Sequence, residues 1–374
     1  MKTIIKKIDA DTMTSEDFRE ASEILNRGGL VAFPTETVYG LGGDAYDRTA
    51  SQRIYAAKGR PSDNPLIVHI AEISELEKLA VNIPAEAYLL AEKFWPGPMT
   101  MILQRKDSVP KETTGGLDTV AIRMPSHPIA RRLIQESGLP IAAPSANASG
   151  RPSTTKASHV IEDLDGKIDM IIDGGSSDIG LESTIVDLTV KPALILRPGY
   201  ITIGMLREVL PDTEYDRAVL KRVRDDTIVA KAPGMKYRHY APKGQLTIFE
   251  GEREAVIARI IAEVTEKTAD GSRVGILAST DYLESYISAV NHKGAAAVSD
   301  CGDGDILEYG NVVIGVVGSR NDEATIAARL FDILREYDTK QIDYIYAECF
   351  ASEDLGQAIM NRLLKAAGYH IEQV

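Results

Sequence analysis

The chain has 374 residues, 44% of them hydrophobic and 26% charged, the composition of a soluble globular protein too long for one ordinary core, so two domains are expected. Its two cysteines, Cys301 and Cys349, lie far apart and outside any CxxC pair, which excludes a disulfide framework or a zinc finger, and no apolar run reaches signal-peptide or membrane-span length, so a cytoplasmic chain without membrane contact is expected. The net charge of -13 is uneven: residues 245–374 carry 22 acidic and 11 basic side chains, which leaves -2 for residues 1–244 and makes the C-terminal part a poor surface for nucleic acid.

The first part mixes short apolar strands with amphipathic helices. A helix is expected over 15–26, with Thr14 as N-cap and Asp17 three residues later. A strand at 30–33 runs into a Gly-rich loop, followed by a helix at 48–57, a strand at 65–70 and a helix at 85–94. Strands at 100–103 and 120–123, a helix at 128–136, strands at 141–143, 170–172, 184–187 and 194–197, and a helix at 203–210 complete this part. Strict βαβ alternation fails between 95 and 123 and between 169 and 200, so the fold expected is α/β with a twisted, open, mixed sheet. The first domain is placed at 1–211.

The segment 212–244 is charged, punctuated by proline and weakly periodic, and reads as a linker. It contains seven Lys/Arg and two Asp within 221–244. From 245 onward the rhythm is regular: strands at 246–249, 273–278, 311–317 and 343–346 alternate with helices at 252–265, 282–290, 324–337 and 356–367. That alternation predicts a smaller, parallel, doubly wound domain over 245–374.

Neither a phosphate loop of the GxxxxGK[ST] type nor a GxGxxG turn is present, so a bound phosphate must meet side-chain cations and irregular loops. Four segments supply them. In LVAFPTETVYGLGG, residues 30–43, Thr35 and Thr37 stand beside glycines able to line a pocket. In KGRPSDNPLIVHI, residues 58–70, Lys58 and Arg60 occupy a rigid turn suited to a triphosphate, with Asn64 and His69 following; a histidine in so apolar a strand is by default a core residue. Arg123 ends the strand of TVAIRMP, where a guanidinium is expected to point from the sheet edge into a cleft, and Ser145, Asn147 and Ser149 lie among small residues in APSANASGRPS. In DGGSSDIGLESTIVD and LILRPG, a Gly-Gly-Ser-Ser turn precedes Ser183, Thr184 and Arg197. Such a set, rich in cations and hydroxyls, suits holding an anionic nucleotide more than hydrolysis by paired acids. Ser145 lacks a nucleophile elbow and a His/Asp partner.

Taken in order, FPTETVYGLG, KGRPSDNPLIVH, FWPGPMT, VAIRMPSHP, APSANASGRPS, ESTIVD…ILRPG and APGMKYRHYAPKG resemble the YrdC family of threonylcarbamoyl-AMP synthases in its long, two-domain form. The resemblance implies that ATP, L-threonine and bicarbonate give threonylcarbamoyl-AMP and pyrophosphate. It implies Mg2+ on the triphosphate with no metal bound by the protein alone, and downstream tRNA threonylcarbamoyl transferase proteins as partners; direct tRNA contact stays open. It assigns Thr35, Thr37, His69, Arg123, Ala143 and Ser183 to threonine. Arg60, Asn64, Thr119, Ser145, Ser153, Arg197 and Tyr237 fall to the nucleotide, with Lys58 and Arg60 as the catalytic charges. It also makes the segment 233–242 a lid over the site. The competing expectation is an RNA-binding module without nucleotidyl transfer, against which stand the low aromatic content of 6% and the acidic C-terminal part.

Overall fold

The computed structural model describes residues 2–220, 231–233, 239–290, 302, 304–350 and 353–374. The chain divides into two compact units, Met1–Ser149, Ser153–Lys221 and Asp225–Tyr237 in the first, and Gly150–Pro152, Arg222–Arg224 and Arg238–Val374 in the second.

The first unit is built on β1 (Ile4–Lys7), β2 (Val31–Phe33), β3 (Gly40–Asp44), β4 (Ile67–His69), β5 (Ala80–Val81), β6 (Met99–Arg105), β7 (Thr119–Arg123), β8 (Ile141–Ala143), β9 (Met170–Asp173), β10 (Thr184–Asp187), β11 (Leu194–Arg197) and β12 (Glu214–Tyr215). They form a mixed sheet in the order β1-β9-β2-β3-β8-β4-β7-β6-β10-β11-β12, with β5 on β6. The mixed sheet expected from the broken alternation is what forms: β4 and β7 are parallel, whereas β6 and β7 are antiparallel.

Period-two alternation sends neighbouring residues into opposite layers. Ala32 and Ile171 join one core with Leu41, Ile54, Val68, Leu90 and Ile122. Val31, Phe33, Met170 and Ile172 join the other, with Phe18, Leu25, Ile129 and Leu133 from the helices Ser15–Asn26 and Pro128–Ser137. The first of these helices starts on the expected capping box, with the Thr14 N–H donating to Asp17 Oδ2 at 2.8 Å.

The Gly-rich run is a strand, not the expected loop. β3 pairs with both β2 and β8. A Cβ on Gly42 would stand 2.6 Å from Ile141 Cγ2 and 2.7 Å from Phe33 Cε1. That glycine is therefore demanded by core packing inside the sheet, not by close approach of a ligand.

The second unit carries β13 (Gln245–Glu250), β14 (Val274–Ser279), β15 (Ile306–Tyr309), β16 (Val312–Gly318), β17 (Tyr344–Glu348) and β18 (Ile371–Gln373), in the order β15-β16-β14-β17-β13-β18. All neighbours are parallel except the edge pair β15 and β16, so the doubly wound domain carries one antiparallel edge strand that its alternation does not announce. Ligands of such sheets usually sit outside the carboxyl ends of the strands, where the strand order reverses. Here Arg320 fills that place, 2.9 Å from the buried Glu348 carboxylate, with its guanidinium 4.5 Å from the Tyr282 ring centre and 5.3 Å from that of Phe350.

Candidate functional site

Register places most of the sequence-predicted polar residues on one face of the first sheet. Ile141 pairs with His69, His69 with Arg123, Arg123 with Thr100, Thr100 with Ile185, and Ile185 with Arg197. Paired residues share a face, so His69, Arg123, Thr100 and Arg197 form one row across the sheet. A register shift in β10 and β11 puts both Leu196 and Arg197 opposite Ile185; such a bulge re-aims a side chain, here turning Arg197 onto this face. Ala143 pairs with Ile67, and Ile67 with Ala121, forming the next row. Thr119 lies one row further along β7, about 13 Å from Arg123 at ~3.3 Å per residue. Arg123 ends β7 as expected, but it and Arg197 sit on the face of interior strands and not at a sheet edge.

At one end of this face, Arg123 and Glu36 form a buried ion pair at 2.7 Å, with side chains 4% and 7% exposed. Burial alone pushes the Glu36 carboxyl up, but the adjacent Arg123 charge and backbone donors outweigh it and hold the group below the usual carboxylate range. Arg123 Nη1 donates to Thr37 Oγ1 at 2.9 Å, and Arg123 Nε reaches Gly97 O at 3.4 Å. Thr35 Oγ1 donates to Val38 O at 2.6 Å and lies 2.9 Å from Thr37 Oγ1. A hydroxyl has a single proton, so Thr37 must donate to Thr35. Protons therefore run one way, from guanidinium to Thr37, to Thr35, to the Val38 carbonyl. Thr35 works as the brace of the 35–38 turn, and Thr37 is the hydroxyl that meets Arg123. His69 is 3% exposed, with Nδ1 3.1 Å from Ile67 O. Burial first, and then the Arg123 charge, pushes its pKa down to about 3, so the ring is neutral at physiological pH.

The second cluster grows from a helix end. Arg48–Lys58 starts at Asp47, whose side chain accepts from Thr49 N at 2.8 Å, and stops at Gly59, left-handed at φ 62°. That stop sets Lys58 and Arg60 on either side of a tight turn. Lys58 Nζ donates to Ser145 O at 2.5 Å and to Asn147 O. Ser145 Oγ donates to Asn147 Oδ1 at 2.5 Å. Arg60 donates from Nε to Asn64 O at 3.2 Å and from Nη2 to Pro65 O at 3.0 Å. Pro65 leads into β4, beside the start of β7, which brings Arg60 and Asn64 to the Thr119 end. Ser153 Oγ donates to the Glu182 carboxylate, and both residues are buried.

In the row of Arg123, beyond Thr100, Arg197 donates to Ser183 O at 3.0 Å, to Ser183 Oγ at 3.1 Å and to Pro233 O at 3.4 Å. Ser183 Oγ is 2.7 Å from Thr100 Oγ1. Ala232, fully buried, packs on Ile67, Ile102, Ala121, Ile185 and Leu196, on the face that carries the polar rows. The start of the segment expected to be a lid is therefore seated on this face. Tyr237 and the rest of 234–238 fall outside the described residues, as does Cys301.

Thus Thr37, His69, Arg123, Ser183 and Arg197 lie on one face in contact or in register, Thr35 braces the turn behind them, and Ala143 sits one row away. Lys58, Arg60, Asn64 and Ser145 lie on the loops toward the other end, with Thr119 opening β7, whereas Ser153 is bonded to Glu182, next to Ser183. Buried carboxylates to which the sequence reading gave no role include Glu36 and Glu182. The available signal was an acid set inside an apolar-flanked motif, PTETV and LESTI, since a buried carboxylate requires a donor or cation nearby. The Gly-Gly-Ser-Ser turn is instead tied to Tyr39, whose hydroxyl donates to Gly175 O at 2.6 Å. Among the described residues no group of three or more His, Cys, Asp and Glu is placed to hold a metal ion, and no helix is long and apolar enough to cross a membrane.

The chain is similar to known proteins over its whole length. A family model described as "Telomere recombination" matches residues 23–199, and one described as "Threonylcarbamoyl-AMP synthase, C-terminal domain" matches residues 201–368. The threonylcarbamoyl-AMP synthase of Pyrococcus abyssi is 46% identical over 356 residues, 95% of each chain. That of Bacillus subtilis is 46% identical over 361 residues, 96% of this chain and 95% of its own. A crystal structure of P. abyssi Sua5 complexed with L-threonine superposes with a TM-score of 0.87 at 44% identity, covering 100% of both chains.

Proposed function

The chain belongs to the threonylcarbamoyl-AMP synthase family, and from that premise we propose how its buried rows of polar residues divide the work. It is an ATP-using enzyme whose product is an adenylate, threonylcarbamoyl-AMP, in a nucleotidyl transfer that serves tRNA modification. L-threonine occupies the end built by Arg123, Thr37, His69, Ala143 and Ser183, with its carboxylate toward the Arg123 guanidinium. ATP meets Lys58, Arg60, Asn64, Thr119 and Ser145 toward the other end, together with Arg197 and Ser153, which reach it from beside Ser183 and Glu182. The observation that carries this division is the row on β7: Arg123 and Thr119 share a face about 13 Å apart, a span suited to an amino acid joined to a nucleotide.

Bicarbonate is the one-carbon source in this reading. The threonine ammonium and bicarbonate give a carbamate, with water and a proton released. A carbamate oxygen then attacks the α-phosphorus, the bond from that phosphorus to the bridging oxygen breaks, and pyrophosphate leaves with the electron pair. The carbamate is already an anion, so its attack needs no base, and the proton released when it forms passes to solvent, because Glu36 is held ionised with a depressed pKa and His69 is a very weak base. The protein's tasks are alignment, charge compensation and exclusion of water. Magnesium enters as part of the MgATP substrate, screening the triphosphate, and needs no ligand set of the protein's own. The threonylcarbamoyl group passes on to downstream transferase proteins in the cytoplasm. The segment 233–242 closes over the site, a reading supported by Ala232 and Pro233 already seated on the site face. The competing RNA-binding reading is disfavoured by the burial of these cations: Lys58, Arg60, Arg123 and Arg197 are all at most 9% exposed, unlike a phosphate-tracking surface. Pyrophosphate release measured with each component omitted tests the reading. Release should require ATP, threonine and bicarbonate together, and equal release without threonine would leave a plain ATP pyrophosphohydrolase.

A further inference from the structure

The charge arrangement at the Arg123 end raises a question that the division of substrates leaves open. The reaction mixture is crowded with anions, ATP, pyrophosphate and bicarbonate among them. A buried, uncompensated guanidinium would collect any of them. Arg123 is not uncompensated, because the Glu36 carboxylate lies 2.7 Å from its Nη2 and the pair is almost wholly buried. The other groups facing the pair add no charge: Thr37 is a hydroxyl, Gly97 offers a carbonyl, and His69 is neutral. His127, whose Nδ1 accepts from Ile129 N at 3.2 Å, is held neutral by burial. The charge in contact with the pair therefore sums to zero, with a fixed dipole, and the exposed Asp178 carboxylate acts on His127 from further out.

We propose that Glu36 is a specificity-determining residue that makes this end a receptor for a zwitterion and not for an anion. The inference rests on the reading that Arg123 meets the threonine carboxylate. A zwitterionic α-amino acid is neutral overall and carries its two charges a few ångströms apart, so it can lie against the ion pair with opposite charges facing. A plain carboxylate, phosphate or bicarbonate gains from Arg123 and loses to Glu36 at nearly the same distance. Two charges a few ångströms apart at an effective dielectric near 20 interact strongly enough that removing the Glu36 charge should change anion binding by about tenfold or more. Glu36 also holds Arg123 in place. The backbone supports the carboxylate's placement, since Ile179 N donates to Glu36 O at 2.9 Å and Thr35 braces the turn beside it.

The test uses the full-length protein and titration calorimetry with two ligands, L-threonine and 3-hydroxybutyrate. The second keeps the carboxylate and the hydroxyl but lacks the amine. Wild type should bind threonine at least about tenfold more tightly than 3-hydroxybutyrate. In Glu36→Gln that preference should shrink by about tenfold, with inorganic phosphate becoming a stronger competitor of threonine. Glu36→Asp, which keeps the charge, should keep the wild-type preference even if both ligands bind more weakly. A change of packing alone would weaken both ligands together and leave the ratio unmoved. A Glu36→Gln protein with the wild-type ratio overturns the inference. So does a wild type that binds the two ligands alike, whether or not the variant folds. A wild type that binds no threonine refutes the substrate reading itself, and this inference with it.

Discussion

Replacing Arg123 by methionine removes the guanidinium and leaves the Glu36 carboxylate buried without its cation. Breaking a buried ion pair by deleting one partner typically costs about 3–5 kcal/mol. A second route to the magnitude gives a similar figure. The stranded carboxylate can escape by taking up a proton, and holding a glutamate with an ordinary pKa near ~4.3 protonated at about pH 7 costs about 1.4 kcal/mol per unit, or ~3.7 kcal/mol. At about pH 5 the same uptake costs only ~1 kcal/mol. The sign follows from the two states. In wild type the folded pKa of Glu36 is depressed, so the group is ionised folded and unfolded across this window and contributes no slope. In the variant, burial raises the folded pKa, the native chain holds the extra proton, and the penalty shrinks as pH falls. Relief of His69 from the Arg123 charge acts in the same direction. Urea unfolding of wild type, Arg123→Met and Arg123→Met/Glu36→Gln measures it. The single variant should lose about 3–5 kcal/mol at pH ~7 and about 1–2 kcal/mol at pH ~5, and the double variant should recover most of the loss at both. Pyrophosphate release should fall at least about tenfold in both variants, since neither presents a guanidinium. A loss that is the same at the two pH values, or a double variant as unstable as the single, would refute the reasoning.

Three further outcomes follow from the same geometry. His69 folds neutral with a pKa near 3, so the unfolded chain binds a proton that the native one does not between about pH 6.5 and 3. Wild type should lose about 2 kcal/mol more than His69→Leu between pH ~6.5 and ~5 in urea unfolding, and identical slopes would remove His69 from the account. Arg197→Lys keeps the charge but loses the planar fork on Ser183 and Pro233; turnover should drop by about tenfold or more in a folded protein, and unchanged turnover would mean that charge alone suffices there. Lys58→Met deprives the Ser145 and Asn147 carbonyls of their donor, which should cost about 1–3 kcal/mol in stability and raise the KM for ATP more than that for threonine; an effect confined to threonine would shift Lys58 to the other end.

Much of this was legible in the sequence. The helix at Ser15 announced itself by Thr14 and Asp17, and the failure of strict alternation foretold a mixed sheet. Strand β3 was not legible, because GLGGD carries the letters of a loop, and only the packing of Phe33 and Ile141 on Gly42 reveals why a strand needs them. The cations stood out as residues, but their placement did not. Arg123 reads as a strand end, whereas register puts it in a row with His69, Thr100 and Arg197, and Arg197 joins that row only through a bulge that no local pattern encodes. Glu36 was hidden by its own motif, because an acid between two threonines looks solvated until the partner 87 residues away is known to lie 2.7 Å from it. The short edge strands β1, β15 and β18 were missed because their apolar alternation is too brief to register.

The central claim is that one carbon from bicarbonate is joined to threonine and then to AMP on this protein. Incubation of the full-length protein with MgATP, L-threonine and 13C-bicarbonate, followed by mass spectrometry of the nucleotides, tests it directly. The account predicts an adenylate heavier than AMP by the threonylcarbamoyl group, one mass unit heavier again than with unlabelled bicarbonate, and formed together with pyrophosphate. An adenylate without the label, or pyrophosphate appearing beside AMP alone at an undiminished rate when threonine is left out, would contradict it.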